Sequence, residues 1–449
     1  MAILFGMNPS GSVEEYGVPT GGQWRLDGAT IDPNRWLHLS RPMTTPRKIL
    51  HLDLDAFFCA VEVLRNPDLD GKPFAVGGSP EGRGVVSSCS YAARKFGVRS
   101  AMPMSQALRL CPDLIAVPHG GGYGRLSQKV MAALDRLTPY VEQISIDEAF
   151  IDVSDIPEDS ETIARRIQMM IKEEVRLPCS LGGATSKLVA KIATNVGKDS
   201  VDTYWPNAVL VVAAGKEPEF LRPLPVKAMW GIGPKSADRL ARAGIRTLGD
   251  VQAWSEEALE AKLGSYGRRL KQFAFGIDDR PVSTDGREVK SVSSETTFDE
   301  DIADRDRLHS VLLSLSQRVG RSLRDDALVA KTITLKLRWA DFKTITRRVT
   351  IRDATDLDQV IYTSAKSLFE RAWVAGKPVR LLGVGTASLD TGGEQLSLFS
   401  QDDDREHRVQ DALDDLRDRF GAAKTRWGRE HSHDFGRWAD VEEEKGEVF

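Results

Sequence analysis

The sequence predicts an α/β fold, more fully an α+β protein of several domains, on three observations. Residues 49–55 and 143–153 alternate apolar side chains with polar and acidic ones at the period of a strand. Helical and strand-like runs alternate between and after them. The periodicity then changes twice, becoming helical with glycine-rich loops from about Pro206 and mixed again from about Lys290. A chain of 449 residues has room for two to four domains of ~100–200 residues each.

Residues 1–47 are rich in Gly, Pro, Ser and Thr and lack sustained periodicity, so they are expected to form a loosely ordered arm. From Ile49, the residues Leu50, Leu52 and Leu54 alternate with His51, Asp53 and Asp55, which describes a strand with carboxylates on one face. AFFCAVEVLRNP is helical and stops at Pro67. PFAVGG and GVVSSCS read as short strands, and helical runs begin at Tyr91 and Ser105. QISIDEAFIDV reads as a hairpin whose tip carries Asp147 and Glu148. Residues 161–176 look helical, CSLGGAT extended and SKLVAKIATNVGK helical. In MWGIGPKSADRLARAGIRTLGDV, the stretch Gly231-Ile232-Gly233-Pro234 separates short helices. A Ser/Thr-rich connector leads to a last domain combining LHSVLLSLSQRVGRSLRDD with the strands KTITLKLRWA and TITRRVTI. Beyond it lie the peptide QLSLF and an acidic tail with Val409, Leu413, Leu416 and Phe420 at helical spacing.

Composition excludes several classes. Hydrophobic residues at 41% and charged residues at 28% fit neither wholesale disorder nor a membrane bundle. No apolar run approaches the roughly 18 residues of a spanning helix, and the start has no secretory signal pattern, so a cytoplasmic protein is expected. Cys59, Cys89, Cys111 and Cys179 lack metal-ligand spacing and read as reduced thiols. The net charge of −4 argues against a nucleic-acid partner only until it is located. Residues 400–449 hold 15 Asp/Glu against 9 Lys/Arg, a tail of −6, which leaves +2 on the body.

The chemistry centres on Asp53, Asp55, Asp147 and Glu148. Carboxylates at the ends of neighbouring strands suit Mg²⁺, which takes a few carboxylates and completes its shell with substrate phosphates. Two ions roughly 3.5–4 Å apart clamp the attacking and leaving oxygens of an in-line phosphoryl or nucleotidyl transfer. Tyr91 and Arg94, three apart on one helix face, offer a phenol and a guanidinium to a triphosphate, with the Ser88 hydroxyl upstream and the Lys198 ammonium at a helix end. Taken singly, each of these residues is far more often a cap, a turn or a solvated charge than a ligand.

HLDLDAFFCAVE, SYAARKFGVRSAMP, SIDEAFIDV, SKLVAKIA and GIGPKSADRL occur in that order, and together they resemble the Y-family, or translesion, DNA polymerases, in their bacterial DNA polymerase IV branch. The resemblance covers about residues 49–399. It implies a right hand: a ferredoxin-like palm over 48–205 with fingers inserted at about 62–119, a helical thumb with a helix-hairpin-helix over 206–281, a linker at 282–290, and an α+β little finger over 291–391. Residues 392–449 would hold a clamp-binding peptide and the acidic tail.

Carried over position by position, Asp53 and Asp147 resemble the family's metal-binding aspartates, Glu148 completes the catalytic trio, and the Leu54 carbonyl is a further metal ligand. Asp55 is the weaker acid, supporting the site without binding metal. Phe58 matches the aromatic steric gate that clashes with a ribose 2′-OH. Ala56 is small where some relatives carry tyrosine, which puts one phosphate contact in doubt. Gly231 and Gly233 would present backbone N–H groups to a DNA phosphate. Lys331, Lys336, Arg338, Lys343, Arg347 and Arg348 fall on strand-rich segments suited to tracking a duplex backbone. Gln395, Leu396, Leu398 and Phe399 resemble the peptide that grips the sliding clamp (beta subunit).

The resemblance thus implies a monomeric, template-directed polymerase that adds dNTPs to primer-template DNA with two Mg²⁺ ions, Mn²⁺ being a substitute, without proofreading and with tolerance of damaged templates. Two rival readings are a catalytically silent clamp- and DNA-binding scaffold and a nucleotidyl cyclase. The complete set of acids and triphosphate ligands disfavours the first, and the hairpin and clamp-like peptides disfavour the second.

Overall fold

The structure is a computed structural model. It describes residues 3–7, 13–17, 24–26, 29–31, 46–284, 288–391 and 401–420, with backbone alone before Pro46 and at 401–406. Residues 1–46 and 47–449 are separate compact units. In the first, β1 (Ile3–Met7) pairs antiparallel with β2 (Val13–Gly17), and β3 (Trp24–Leu26) with β4 (Ala29–Ile31). The absence of sequence periodicity there gave no sign of these strands.

The second unit is built on a five-stranded sheet of order β12-β11-β5-β10-β9. Its strands are β5 (Ile49–Leu54), β9 (Val141–Gln143), β10 (Glu148–Asp152), β11 (Cys179–Ala184) and β12 (Val209–Val211). Strand alternation divides β5 between two cores. Leu50, Leu52 and Leu54 pack with Ile163, Ile167 and Ile171 of α5 (Ser160–Glu174), whereas Ile49 packs with Phe150 and with Leu188, Val189 and Ile192 of α6 (Lys187–Asp199). Both helices start on side-chain caps, Asp159 accepting from the Glu161 and Thr162 amides and Ser186 from that of Val189. A Cβ at Gly182 would lie 2.1 Å from the Ala190 carbonyl oxygen, so this glycine is what lets α6 press onto β11.

α1 (Phe57–Arg65) leads into a small three-stranded sheet, β7-β6-β8, made of β6 (Phe74–Gly77), β7 (Val86–Cys89) and β8 (Ile115–Val117). It carries α2 (Tyr91–Lys95) and α3 (Met104–Leu110), and α4 (Tyr123–Asp135) returns the chain to β9. After β12 come five helices, α7 (Glu217–Leu221), α8 (Pro234–Arg242), α9 (Leu248–Ala253), α10 (Glu256–Leu263) and α11 (Ser265–Ala274). The last sheet, β13-β16-β14-β15, is antiparallel: β13 (Ser291–Ile302), β14 (Leu328–Trp339), β15 (Thr344–Thr355) and β16 (Val379–Thr391). α12 (Arg305–Asp325) and α13 (Asp358–Ala372) share its core with Ile333, Leu335, Leu337 and Trp339 of β14, leaving the other face open.

α14 (Gln401–Phe420) packs on α12 and α13, but with a face about a quarter turn round from the one its apolar spacing suggests. Gln410 is buried and Asp414 and Arg417 are half-buried, whereas Val409, Leu416 and Phe420 are exposed. The contact is an ion-pair network, Arg324 to Asp414 and Asp358, Arg417 to the same two acids.

Candidate active site

The site grows from one register. Asp53 at the end of β5 pairs with Glu148 at the start of β10, and the Leu54 amide donates to the Asp147 carbonyl at 2.9 Å, so three acids from two chain segments meet at the strand ends. The expected hairpin is present: β9 and β10 pair antiparallel around the 144–147 turn. Ser145 donates through Oγ to Asp147 Oδ1 at 2.6 Å and accepts from the Asp147 amide, which fixes that carboxylate.

Lysines of α6 meet the acids. Lys198 Nζ lies 2.5 Å from Asp53 Oδ1 and 2.9 Å from Asp55 Oδ1, and Lys191 Nζ lies 2.6 Å from Glu148 Oε1. Burial alone would lower the Lys198 pKa, but the charges of Asp53 and Asp55 prevail and hold it above the ordinary lysine value. Burial likewise raises the Glu148 pKa, with the Lys191 bond and charge opposing. Asp55 is fully buried and takes bonds from Ser180 Oγ to both oxygens and from the Asn207 amide, so its acceptors serve the fold.

A cleft of about 590 Å³ opens from these acids. Asp53, Leu54, Asp147 and Lys198 line one part of it, Ser88, Tyr91 and Arg94 another, and Phe58 lies on the wall between α1 and the acids. Tyr91 Oη is buried with no hydrogen-bond partner among the described residues, although burial pushes the phenol up to about 12 and so keeps its proton available to donate. The Arg94 guanidinium stacks 4.4 Å above the Tyr91 ring. An orphaned donor beside a guanidinium and an ammonium fits a polyanion. Phe58 is held edge-on by Tyr123 (4.7 Å between centroids) and His119 (5.8 Å). Ala56 sits in the left-handed region, φ 44°, at the turn from β5 to α1.

The donor set at the strand ends is all carboxylate oxygen, which suits hard divalent cations. Among the described residues no group of three His, Cys, Asp or Glu side chains is placed to hold a metal ion by itself.

Farther out, Gly231 has φ +92°, which only glycine adopts freely, and a Cβ at Gly231 or Gly233 would meet no atom within 4 Å, so this turn is open to a ligand. On the last sheet, Lys336 and Arg338 stand on the open face, level with Thr346 and Thr344 of β15, and Arg348 shares that row. Lys336 crosses the flat Gly383 to reach Glu295 of β13 at 2.6 Å. Arg347 is level with Leu335 and so belongs to the row facing the helices, apart from the other basic residues. Lys331 is exposed beside a register shift of β14. Gln395, Leu396, Leu398 and Phe399 lie outside the described residues.

The sequence reading missed Lys191, Ser145 and His51. Lys191 precedes Lys198 by seven residues, two helical turns, and so by spacing alone shares its face.

Strand-end acids beneath a cleft lined by a phenol, a guanidinium and an ammonium, flanked by a helical domain with an open Gly-x-Gly turn and by a sheet with basic residues on its open face, define a polymerase of the palm, fingers and thumb kind. The chain matches the impB/mucB/samB family over residues 52–195, its helix-hairpin-helix motif over 215–245 and the family's C-terminal domain over 289–398. It is 41% identical over 386 residues to DNA polymerase IV of Desulfatibacillum aliphaticivorans, covering 84% of this chain and 95% of that one. Against DNA polymerase IV of Opitutus terrae it is 37% identical over 388 residues, 85% and 97% of the two chains. The Y-family DNA polymerase chimera Dbh-Dpo4(243-245)-Dbh superposes with a TM-score of 0.66 at 26% identity, covering 76% of this chain and 98% of that one. The chain belongs to the impB/mucB/samB family, the Y-family DNA polymerases, and is a DNA-directed DNA polymerase of the translesion type. Its class depends on divalent metal and takes primer-template DNA and dNTPs. No helix among the described residues is long and apolar enough to cross a membrane.

Proposed function

We propose that Asp53, Asp147, Glu148 and the Leu54 carbonyl hold two Mg²⁺ ions, with Mn²⁺ a substitute, and that this site joins a dNTP to a primer 3′ end. The observation that carries the reading is the register that brings Asp53, Asp147 and Glu148 together at the mouth of a cleft lined by Tyr91, Arg94 and Lys198. Bound there, the cations would lower the pKa of the primer hydroxyl and offset the charge of the departing pyrophosphate. Tyr91 donates its unpaired hydroxyl to the triphosphate, Arg94 and Lys198 neutralise it, and Ser88 adds a hydroxyl. Lys198 exchanges Asp53 for phosphate when the acid turns to metal. Phe58, braced by Tyr123 and His119, excludes a ribose 2′-OH.

The Gly231–Gly233 turn and Lys331, Lys336 and Arg338, with Arg348 in the same row in place of the expected Arg347, hold the duplex by its phosphates without reading sequence. The peptide from Gln395 to Phe399, with Leu396 and Leu398, binds a sliding clamp (beta subunit). The protein works as a monomer in the cytoplasm, with low fidelity and without proofreading.

The test is gel-resolved primer extension with single dNTPs or rNTPs, comparing the wild type with an Asp147→Ala, Glu148→Ala double variant. Templated dNTP addition by the wild type alone is expected. A wild type that binds primer-template and adds nothing would return the protein to the silent scaffold reading.

A further inference from the structure

Beneath the acids lies a buried polar chain that the proposed reaction does not use. β5 alternation puts His51 on the same side of the sheet as Asp53, facing α6. His51 is fully buried, with Nδ1 2.9 Å from Thr194 Oγ1 and Nε2 3.4 Å from Lys191 Nζ. The Lys191 ammonium can only donate, so the contact makes Nε2 the acceptor and puts the proton of the neutral ring on Nδ1. Nδ1–H then donates to Thr194 Oγ1, whose own proton is left for the Ala190 or His51 carbonyl oxygen, each at 3.1 Å. The Lys191 ammonium gives another proton to Glu148 Oε1 at 2.6 Å and lies 5.8 Å from the Trp230 ring centre.

A free lysine side chain samples many rotamers. This one is fixed by a histidine, a carboxylate and an indole. Its bond engages Oε1 alone, and Oε2 of Glu148 takes no bond among the described residues. Lys198 differs: it lines the cleft and bridges two acids, so a phosphate can draw it away, whereas neither Lys191 nor His51 lines the cleft.

We infer that Lys191, oriented by His51 and Thr194, is a positioning residue that holds Glu148 by Oε1 and leaves Oε2 as its ligand oxygen. The inference rests on the reading of Glu148 as a member of the catalytic trio. Metal sites commonly fix their ligating side chains through such outer bonds, and losing one typically costs about 10–100-fold in metal affinity or activity.

The experiment compares wild type, Lys191→Met, Lys191→Arg and Glu148→Ala. Single-turnover extension separates the maximal rate from the dNTP KM. Mn²⁺ binding is read by electron paramagnetic resonance on the enzyme, dideoxy-terminated primer-template and dNTP, where no turnover occurs. Met approximates the unbranched stem of the lysine, one atom shorter, and removes the ammonium with its charge and its proton donors. Lys191→Met is expected to lower both the maximal rate and Mn²⁺ affinity about 10–100-fold, with DNA affinity and Tm near those of the wild type, and Lys191→Arg to recover part of both. Rate and Mn²⁺ affinity within twofold of the wild type would overturn the proposal, as would a parallel loss of Tm and DNA affinity, which marks a structural role. An inactive Glu148→Ala beside a normal Lys191→Met defeats this inference alone; an active Glu148→Ala defeats the reading of the trio and this inference with it.

Discussion

In the palm the acids Asp53, Asp55 and Glu148 are met by lysines, whereas at the junction of the last domain with α14 the acids Asp358 and Asp414 are met by arginines. At that junction all four carboxylate oxygens are used. Asp358 takes Arg324 on Oδ1 and Arg417 and Gln410 on Oδ2, and Asp414 takes Arg324 on Oδ2 and Arg417 and Gln410 on Oδ1. In the palm a compact ammonium contacts one oxygen of each acid, Glu148 Oε2 takes no bond among the described residues, and Tyr91 Oη has no partner there. The arginines fill every carboxylate oxygen and lock the acids, although Arg324 Nη2 itself is buried without a partner among the described residues; the lysine compensates charge and can be exchanged. Buried charge marks a functional site when bonding capacity is left over beside an open cleft.

The sharpest way to break this contrast is to remove one charged partner from each region. Asp53→Asn keeps an oxygen for Lys198, which also retains Asp55, so stability should change by under about 1 kcal/mol. Extension should fall on the order of 10³-fold, as when a transition-state charge loses its partner. Single-turnover extension with parallel urea unfolding measures both, and a stability loss matching the activity loss would erase the distinction. Arg324→Leu should do the reverse. It leaves Asp358 and Asp414 to share Arg417 and Gln410, which costs about 3 kcal/mol, the low end for a broken buried pair, while the extension rate per bound enzyme holds. An unfolding midpoint equal to the wild type's would show that α14 adds nothing there.

Within the cleft, Phe58→Val removes the ring while keeping an apolar wall. Discrimination between a dNTP and its rNTP should drop about 10–200-fold, the range for reshaping an apolar pocket, with dNTP addition changing less. Competing dNTP and rNTP on one templated position reads the ratio directly, and an unchanged ratio would move the gate to another residue.

These sites differ in how far the sequence exposed them. The acids were legible because strand period 2 sets Asp53 against Leu52 and Leu54, and because Asp147 and Glu148 sit at a hairpin turn. The bond from Lys191 to Glu148 spans 43 residues and that from His51 to Thr194 spans 143, and no local pattern encodes a partner so distant. α14 misled for a physical reason: the surface it meets offers Arg324 and Asp358, so pairing charge outweighed burying Val409 and Leu416. The basic residues of β15 depended on a parity that the sequence leaves open, since Arg347 and Arg348 are adjacent and only one can face each way.

That parity supports the smallest effect. Arg348 lies level with Thr334 in the row of Lys336 and Arg338, and that row runs beside Gly383 and Gly385, where no side chain holds a duplex away. Arg347 lies level with Leu335, on the face already covered by α12 and α13. One phosphate contact contributes about one unit to the slope of log affinity against log salt. Arg348→Ala should therefore flatten the slope by about one unit and weaken binding to all sequences alike, whereas Arg347→Ala should leave the slope unchanged. Fluorescence anisotropy of labelled primer-template across a salt series decides between the two faces. A slope that responds to Arg347 and ignores Arg348 would place the duplex along the edge of β15 instead of over the open face.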